Sequence, residues 1–285
     1  MNARMSGWVG GVLIGMAAAL LLWLNGRIAG ISGIVNAVTG AASSDRGWRV
    51  AFLLGLMLAG GGTMRWFAVG EPHRQGYPVI LLVVGGLLVG FGTRMGSGCT
   101  SGHGVCGLGR LSLRSLARGA DLHGRRDGDG VRDAPLAGMV GMNARWFAAL
   151  FSGALFGVGL AISGMTDPRV VQGFLDIFGQ FDPTLILVLG AAVGVTVIAF
   201  RWILRLPKPR FAPGFELPAT QRIDRRLIVG AGIFGIGWGL VGYCPGPALV
   251  GLAGGVHEVL WFVPAMLVGA VACRLMETRV RQETD

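Results

Sequence analysis

The sequence predicts an all-α integral membrane protein built as two inverted repeats, and three observations carry that prediction. Of its 285 residues, 52% are apolar and only 14% are charged, where an ordinary soluble domain has about a quarter charged. Seven apolar runs approach the ~20 residues that a spanning helix needs. Four glycine-rich segments interrupt them, at positions that repeat between the two halves of the chain.

The first run, Gly7–Leu24, lies in a stretch (Met1–Leu24) that has one arginine and a long apolar core but no small-residue cleavage site. It therefore reads as a retained helix rather than a secretory signal. The other runs are Trp48–Met64, Pro78–Met95, Trp146–Ser163, Thr184–Ile203, Leu227–Gly242 and Val259–Cys273. Between them lie Gly26–Gly40, Gly96–Gly109, Ser163–Gly179 and Gly242–Gly255, each apolar but too broken to span. Non-helical backbone at membrane depth needs protein or a water-filled cavity to satisfy its polar groups. These segments are thus expected to be re-entrant, and counting any that cross would raise the helix number from seven towards nine.

Charge sets the topology. Segment 96–145 holds seven arginines and segment 201–226 another seven basic residues, and both belong on the cytoplasmic side by the positive-inside rule. Seven spans then put the N-terminus outside and the C-terminus, with Arg274, Arg279 and Arg281, in the cytoplasm of a bacterial inner membrane. The net charge of +10 is accounted for by these loops, and nucleic acid is not expected as a partner. Residues 119–143 are rich in Gly, Asp and Arg and read as a polar cytoplasmic linker. It separates a first membrane repeat (1–118) from a second (144–285). "GVLIG" at Gly11 has a counterpart in "GALFG" at Gly153, and "GISGI" at Gly30 in "AISGM" at Ala161. "GFGTRMGSGC", ending at Cys99, matches "GIGWGLVGYC", ending at Cys244. The charge rule starts the two halves on opposite sides, the inverted arrangement of transporters with a midplane site.

Within this frame Cys99 approaches the midplane from the cytoplasm and Cys244 from outside. Gly98, Gly102 and Gly246 beside them permit a positive φ or close backbone approach to a ligand. Amides at re-entrant turns and half-helix N-termini point partial positive charge at the site, which suits an anion. Cys106 and His103 share the first tip. His103 is read as a hydrogen-bonding or proton-handling group, and Cys106 as either pathway or packing. Arg94, inside the third run, is either an anion guide or a snorkelling charge. Ser32 and Ser163, in the paired S-G turns, either donate to an oxyanion or bond backbone. Cys273 reads as packing. A competing reading takes Cys99, His103 and Cys106 as a C-x3-H-x2-C set for a soft metal. It lacks compact C-x2-C pairs, so no metal ligand is assigned. No Walker A stretch appears, and no cofactor is expected.

"GSGCTSGHGVCGLGRLSLRSL" (Gly96–Leu116) resembles the signature segment of the YeeE/YedE family of inner-membrane sulfur-compound transporters. "ISGMTDP", "VQGFLDIFG" and "FDPTLILVLG" resemble the second, half-length partner of that family's two-subunit members. The chain thus looks like both partners fused through 119–143. The resemblance implies an hourglass of helices with opposed loops, in which pore thiols hand a sulfur anion along by S–H hydrogen bonds. By position, Cys99 and Cys244 are two such thiols. The first turn, "GRIAGISGI", has no cysteine where the thiosulfate transporters carry one, so sulfite, sulfide or persulfide stand beside thiosulfate as cargo. A neutral thiol donates weakly without a carboxylate's repulsive field. A thiolate would instead attack sulfane sulfur. The expected function is a permease, not an enzyme, for a small sulfur-containing anion, feeding a cytoplasmic sulfur carrier protein. A membrane-embedded sulfurtransferase and a soft-metal channel are the alternatives.

Overall fold

The computed structural model of the chain describes residues 3–38, 43–67, 76–96, 135–217 and 225–282. Among these every regular element is a helix: α1 (Ala3–Asn25), α2 (Ile31–Val38), α3 (Ser43–Phe67), α4 (Val79–Met95), α5 (Pro135–Ile162), α6 (Pro168–Leu175), α7 (Thr184–Ile203), α8 (Arg225–Val241), α9 (Pro245–Gly254) and α10 (Val259–Gln282). The protein is an all-α integral membrane protein. Six segments are long and apolar enough to cross a bilayer: Ala3–Asn25, Arg46–Phe67, Asn143–Ile162, Thr184–Ile203, Arg225–Gly254 (which takes in α8 and α9) and Val259–Arg279, with the shorter α4 beside them. Exposed Trp23, Leu58, Ile80, Phe147, Ile198, Ile228 and Val268 form the outer apolar surface of this bundle.

Three of the four glycine-rich breaks fall on described residues, and each holds a short helix of eight to ten residues: α2, α6 and α9. At ~1.5 Å per residue such helices are half the length of a span. The chain enters the first two alike. α1 ends at Asn25 and the left-handed Gly26 (φ 66°) turns it, while α5 ends at Ile162 and Gly164 (φ 73°) does the same. Only glycine takes that region freely. Asp167 then caps α6, accepting from Arg169 N–H at 3.0 Å. α5 begins at Pro135, so residues 135–143 of the segment read as a linker are its first turns. The rest of that segment lies outside the described residues.

The repeat is visible in the packing. On α1, Gly11 and Gly15 lie against the backbone of α7 at Val188 and Ala192. On α5, Gly153 and Gly157 lie against the backbone of α3 at Phe52 and Leu56. A Cβ at any of the four would collide with a carbonyl oxygen of the facing helix. These are the two glycine pairs of "GVLIG" and "GALFG", and each seats its helix on the other half's long helix, as small residues do at membrane interfaces. The crossing of α4 and α8 is self-matching in the same way. Gly85 meets Gly237 and Val241, and Gly230 meets Gly92 and Gly96. Adding to each α4 position the interval that separates Cys99 from Cys244 exchanges the two sets.

Equivalent helices run in opposite directions. Gly10 of α1 abuts Gly159 and Ser163 near the end of α5, while Asn25 Nδ2 donates to the Arg145 carbonyl at 3.0 Å near its start. α4 and α8 are likewise antiparallel, so the two repeats are inverted. One end of the bundle gathers Arg27, Arg49, Arg145, Arg201, Arg205, Lys208, Arg210, Arg225, Arg226 and Arg274. Segment 206–217 closes it by pairing with the end of α1: the N–H groups of Arg210, Phe211 and Glu216 donate to the carbonyls of Trp23, Leu24 and Gly26 at 3.0, 2.8 and 2.9 Å. Arg27 pairs with Glu216 and stacks 5.4 Å from the Trp48 ring centre. The opposite end carries Asp167, Asp176, Asp182, His257 and Glu258 with Arg65 and Arg169.

Candidate functional site

Two half-helices point their N-termini at one place in the core. α9 starts at Pro245, whose missing N–H costs nothing at a first helical position. Cys244 is its N-cap residue, with extended backbone (φ −98°, ψ 159°) and no side-chain capping bond. A Cβ added to Gly246, in the first turn, would lie 2.6 Å from Ile31 Cδ1 and 3.3 Å from Leu160 Cδ1. Ile31 is the first residue of α2. The absent side chain at Gly246 therefore lets α2 meet α9. Gly246 is helical and does not take a positive φ; the turn glycine is Gly242 (φ 79°), packed on the Pro168 carbonyl.

Each N-terminus contributes about half a positive charge, and Ser32 sits between them in the first turn of α2. Ser32 is 3% exposed, and its Oγ is buried with no hydrogen-bond partner. The residue lines a narrow cleft. α2 supplies Ser32, Val35 and Asn36 to the walls; α4 supplies Gly90 and Thr93, α9 Pro245, and α10 Met266 and Ala270. Thr93 donates its proton to the Gly90 carbonyl at 3.0 Å, leaving its oxygen as an acceptor. The cleft continues past Asn36 to a mouth at the basic end, where Arg94 and Arg274 line it with Val271. Arg94 there faces Glu277 at 3.6 Å. It is thus both near a helix end and on the cleft wall.

The turn that carries Cys244 is held rigidly. Tyr243 is fully buried, donates its hydroxyl to Glu258 Oε2 at 3.1 Å and packs on Phe262. Cys244 itself is half-buried, and Cys273 is buried in the packing as expected. Ser163 lies elsewhere. It ends α5, donates to the Leu160 carbonyl at 2.9 Å and packs on Gly10. The "ISG" match between the halves was misleading. Ser32 follows the turn glycine Gly26 and starts a half-helix, whereas Ser163 precedes the turn glycine Gly164 and ends a long one. Gly98, Cys99, Gly102, His103 and Cys106 lie outside the described residues. Sequence reasoning missed Asn36, Thr93 and Glu277. Asn36 had a signal, since it stands four residues after Ser32 on the same helical face.

Helices crossing on glycine, paired inverted halves and a cleft at half-helix ends are the build of a membrane transporter. The comparisons agree. Residues 144–284 match the model of a "Family of unknown function (DUF6691)". A "Probable transporter" of Xylella fastidiosa strain Temecula1 is 44% identical over 128 residues, 45% of this chain and 86% of the relative. One from strain 9a5c is 44% identical over 45% of this chain and 88% of its own length. A further "Probable transporter" of strain Temecula1 is 42% identical over 38% of this chain and 78% of its length. No solved structure matches. The chain belongs to the family of these probable transporters.

Proposed function

We propose that the protein is an inner-membrane permease for a small sulfur-containing anion, a fusion of two half-length partners of the YeeE/YedE type (1–118 and 144–285). The observation that supports it best is the meeting of the α2 and α9 N-termini at the unpartnered Ser32 hydroxyl, with Cys244 at the N-cap position of α9. Two helix ends and a free hydroxyl attract an anion, and a neutral thiol adds a soft, weak donor matched to sulfur. Passage needs several weak sites rather than one tight one. The half-length relatives support the fusion, and the sequence motif around Cys99 supports a second thiol opposite the first. Delivery to a cytoplasmic sulfur carrier protein follows from the same reading, and the pathway calls for no cofactor and no catalytic step.

The test is uptake of sulfur-labelled thiosulfate and sulfite into proteoliposomes. Cys244→Ala and Cys99→Ala should each lower uptake of the true cargo by about tenfold or more, as expected for loss of a pore donor, with both variants still folded. Unchanged uptake in both would remove the thiols from the path.

The basic end is assigned to the cytoplasm by the positive-inside rule, which puts the N-terminus outside and the C-terminus inside. A reporter cysteine placed in 119–134 should react with an impermeant maleimide only after the cells are opened. Labelling in intact spheroplasts would reverse the orientation.

A further inference from the structure

The geometry points to an anion-binding vestibule at the basic mouth of the cleft, in which Glu277 is a tethered competitor for the transported anion. The inference rests on the permease reading and extends it to the exit step. Arg94 and Arg274 line this mouth, and Asn36 stands between them and Ser32. Two guanidiniums at the mouth of the cleft attract a small oxyanion. Left unbalanced they would hold it, and a permease that holds its cargo does not turn over.

Glu277 supplies the balance. Its Oε2 lies 3.6 Å from Arg94 Nε and its Oε1 lies 3.8 Å from Arg226 Nη1. Both separations are ion-pair distances too long for hydrogen bonds. Arg94 and Glu277 are each about one-third exposed (31% and 32%). Such a pair is weak and solvent-screened, so an arriving oxyanion can take the Arg94 donors while Arg226 retains Glu277. Among the described residues Arg274 has no carboxylate partner, so one cation stays available to the arriving anion throughout. The carboxylate leaves Arg94 as the anion arrives, and its return expels the anion.

The two halves differ at the Arg94 position. Its position equivalent to Arg94 is Gly239, and its position equivalent to Thr93 is Trp238. Inverted repeats alone would make these positions alike, and they are not.

The experiment is equilibrium binding of labelled thiosulfate, sulfite, sulfate and phosphate to purified full-length protein, alongside proteoliposome uptake. Removing the competitor, Glu277→Gln, should tighten binding of the bound anion about fivefold while lowering maximal uptake, because release slows. Arg94→Gln should weaken binding about tenfold, and Arg94→Lys should restore most of it. Retained monodispersity and the lysine rescue separate these effects from misfolding. Affinity unchanged in both Glu277→Gln and Arg94→Gln overturns the vestibule, even where uptake still depends on the cysteines. Binding of none of the four anions overturns it too. The predicted affinity changes without preference for sulfur anions would uphold the vestibule and overturn the sulfur permease instead.

Discussion

Gly153→Leu is expected to abolish the folded protein, leaving no monodisperse species after extraction from the membrane. The facing surface is backbone. A Cβ at Gly153 would fall on the Phe52 carbonyl, with the carbonyl carbon 2.8 Å and the Cα 3.0 Å away. A flexible side chain could swing aside, but α3 would have to move as a whole, and Phe52 and Phe156 are both buried against the same seam. Overpacking a well-packed site costs about 1–3 kcal/mol, and displacing a helix over its full length costs more because Leu56 and Gly157 separate with it. Gly190→Leu provides the control. Gly190 has nothing within 4 Å of its Cβ direction, so that variant should behave like wild type in size-exclusion chromatography and thermal melting. Equal behaviour of the two variants would show that the α3–α5 seam is looser than described.

Ser32→Ala should separate stability from function. A buried hydroxyl without a partner costs about 1–3 kcal/mol, so removing it should raise the melting temperature of the protein. The same change deletes the one hydroxyl between two helix N-termini that has no competing partner. A hydrogen bond to an anion is worth about 1.5–3 kcal/mol, which predicts uptake lowered by about tenfold or more. Ser32→Thr keeps the donor and should retain part of the activity. A variant less stable than wild type with normal uptake would mean that Ser32 serves the fold rather than the cargo.

Much of this architecture was readable from residue order. The seven apolar runs, the three described breaks and the pairing of "GVLIG" with "GALFG" all have structural counterparts, because hydrophobic length and close-packed glycine are local signals. The charge pattern separated the two ends for the same reason. What escaped depends on contacts between distant segments. The "ISG" similarity set Ser32 and Ser163 side by side, and only the positions of Gly26 and Gly164 show that one begins a helix and the other ends one. The contact of Gly246 with Ile31 is likewise not visible in the sequence. Glu277 lies far from Arg94 in the chain, and nothing in a helix ending "CRLMETRVRQ" marks it as facing α4. Asn36 alone could have been found, from its spacing to Ser32.

The crossed seating of the long helices has a consequence for how such a protein must be made. α1 finishes its packing on α7 and α5 on α3, so each half leaves its glycine groove unfilled until the other half arrives. Cut within 119–134, the chain would yield two pieces, each with a bare helix groove in lipid, stable only as a mated pair. Joining them fixes the ratio at one to one and makes assembly independent of dilution. It also frees each half to change its own mouth without a matching change in an identical copy. The cation at position 94 stands opposite a glycine at position 239.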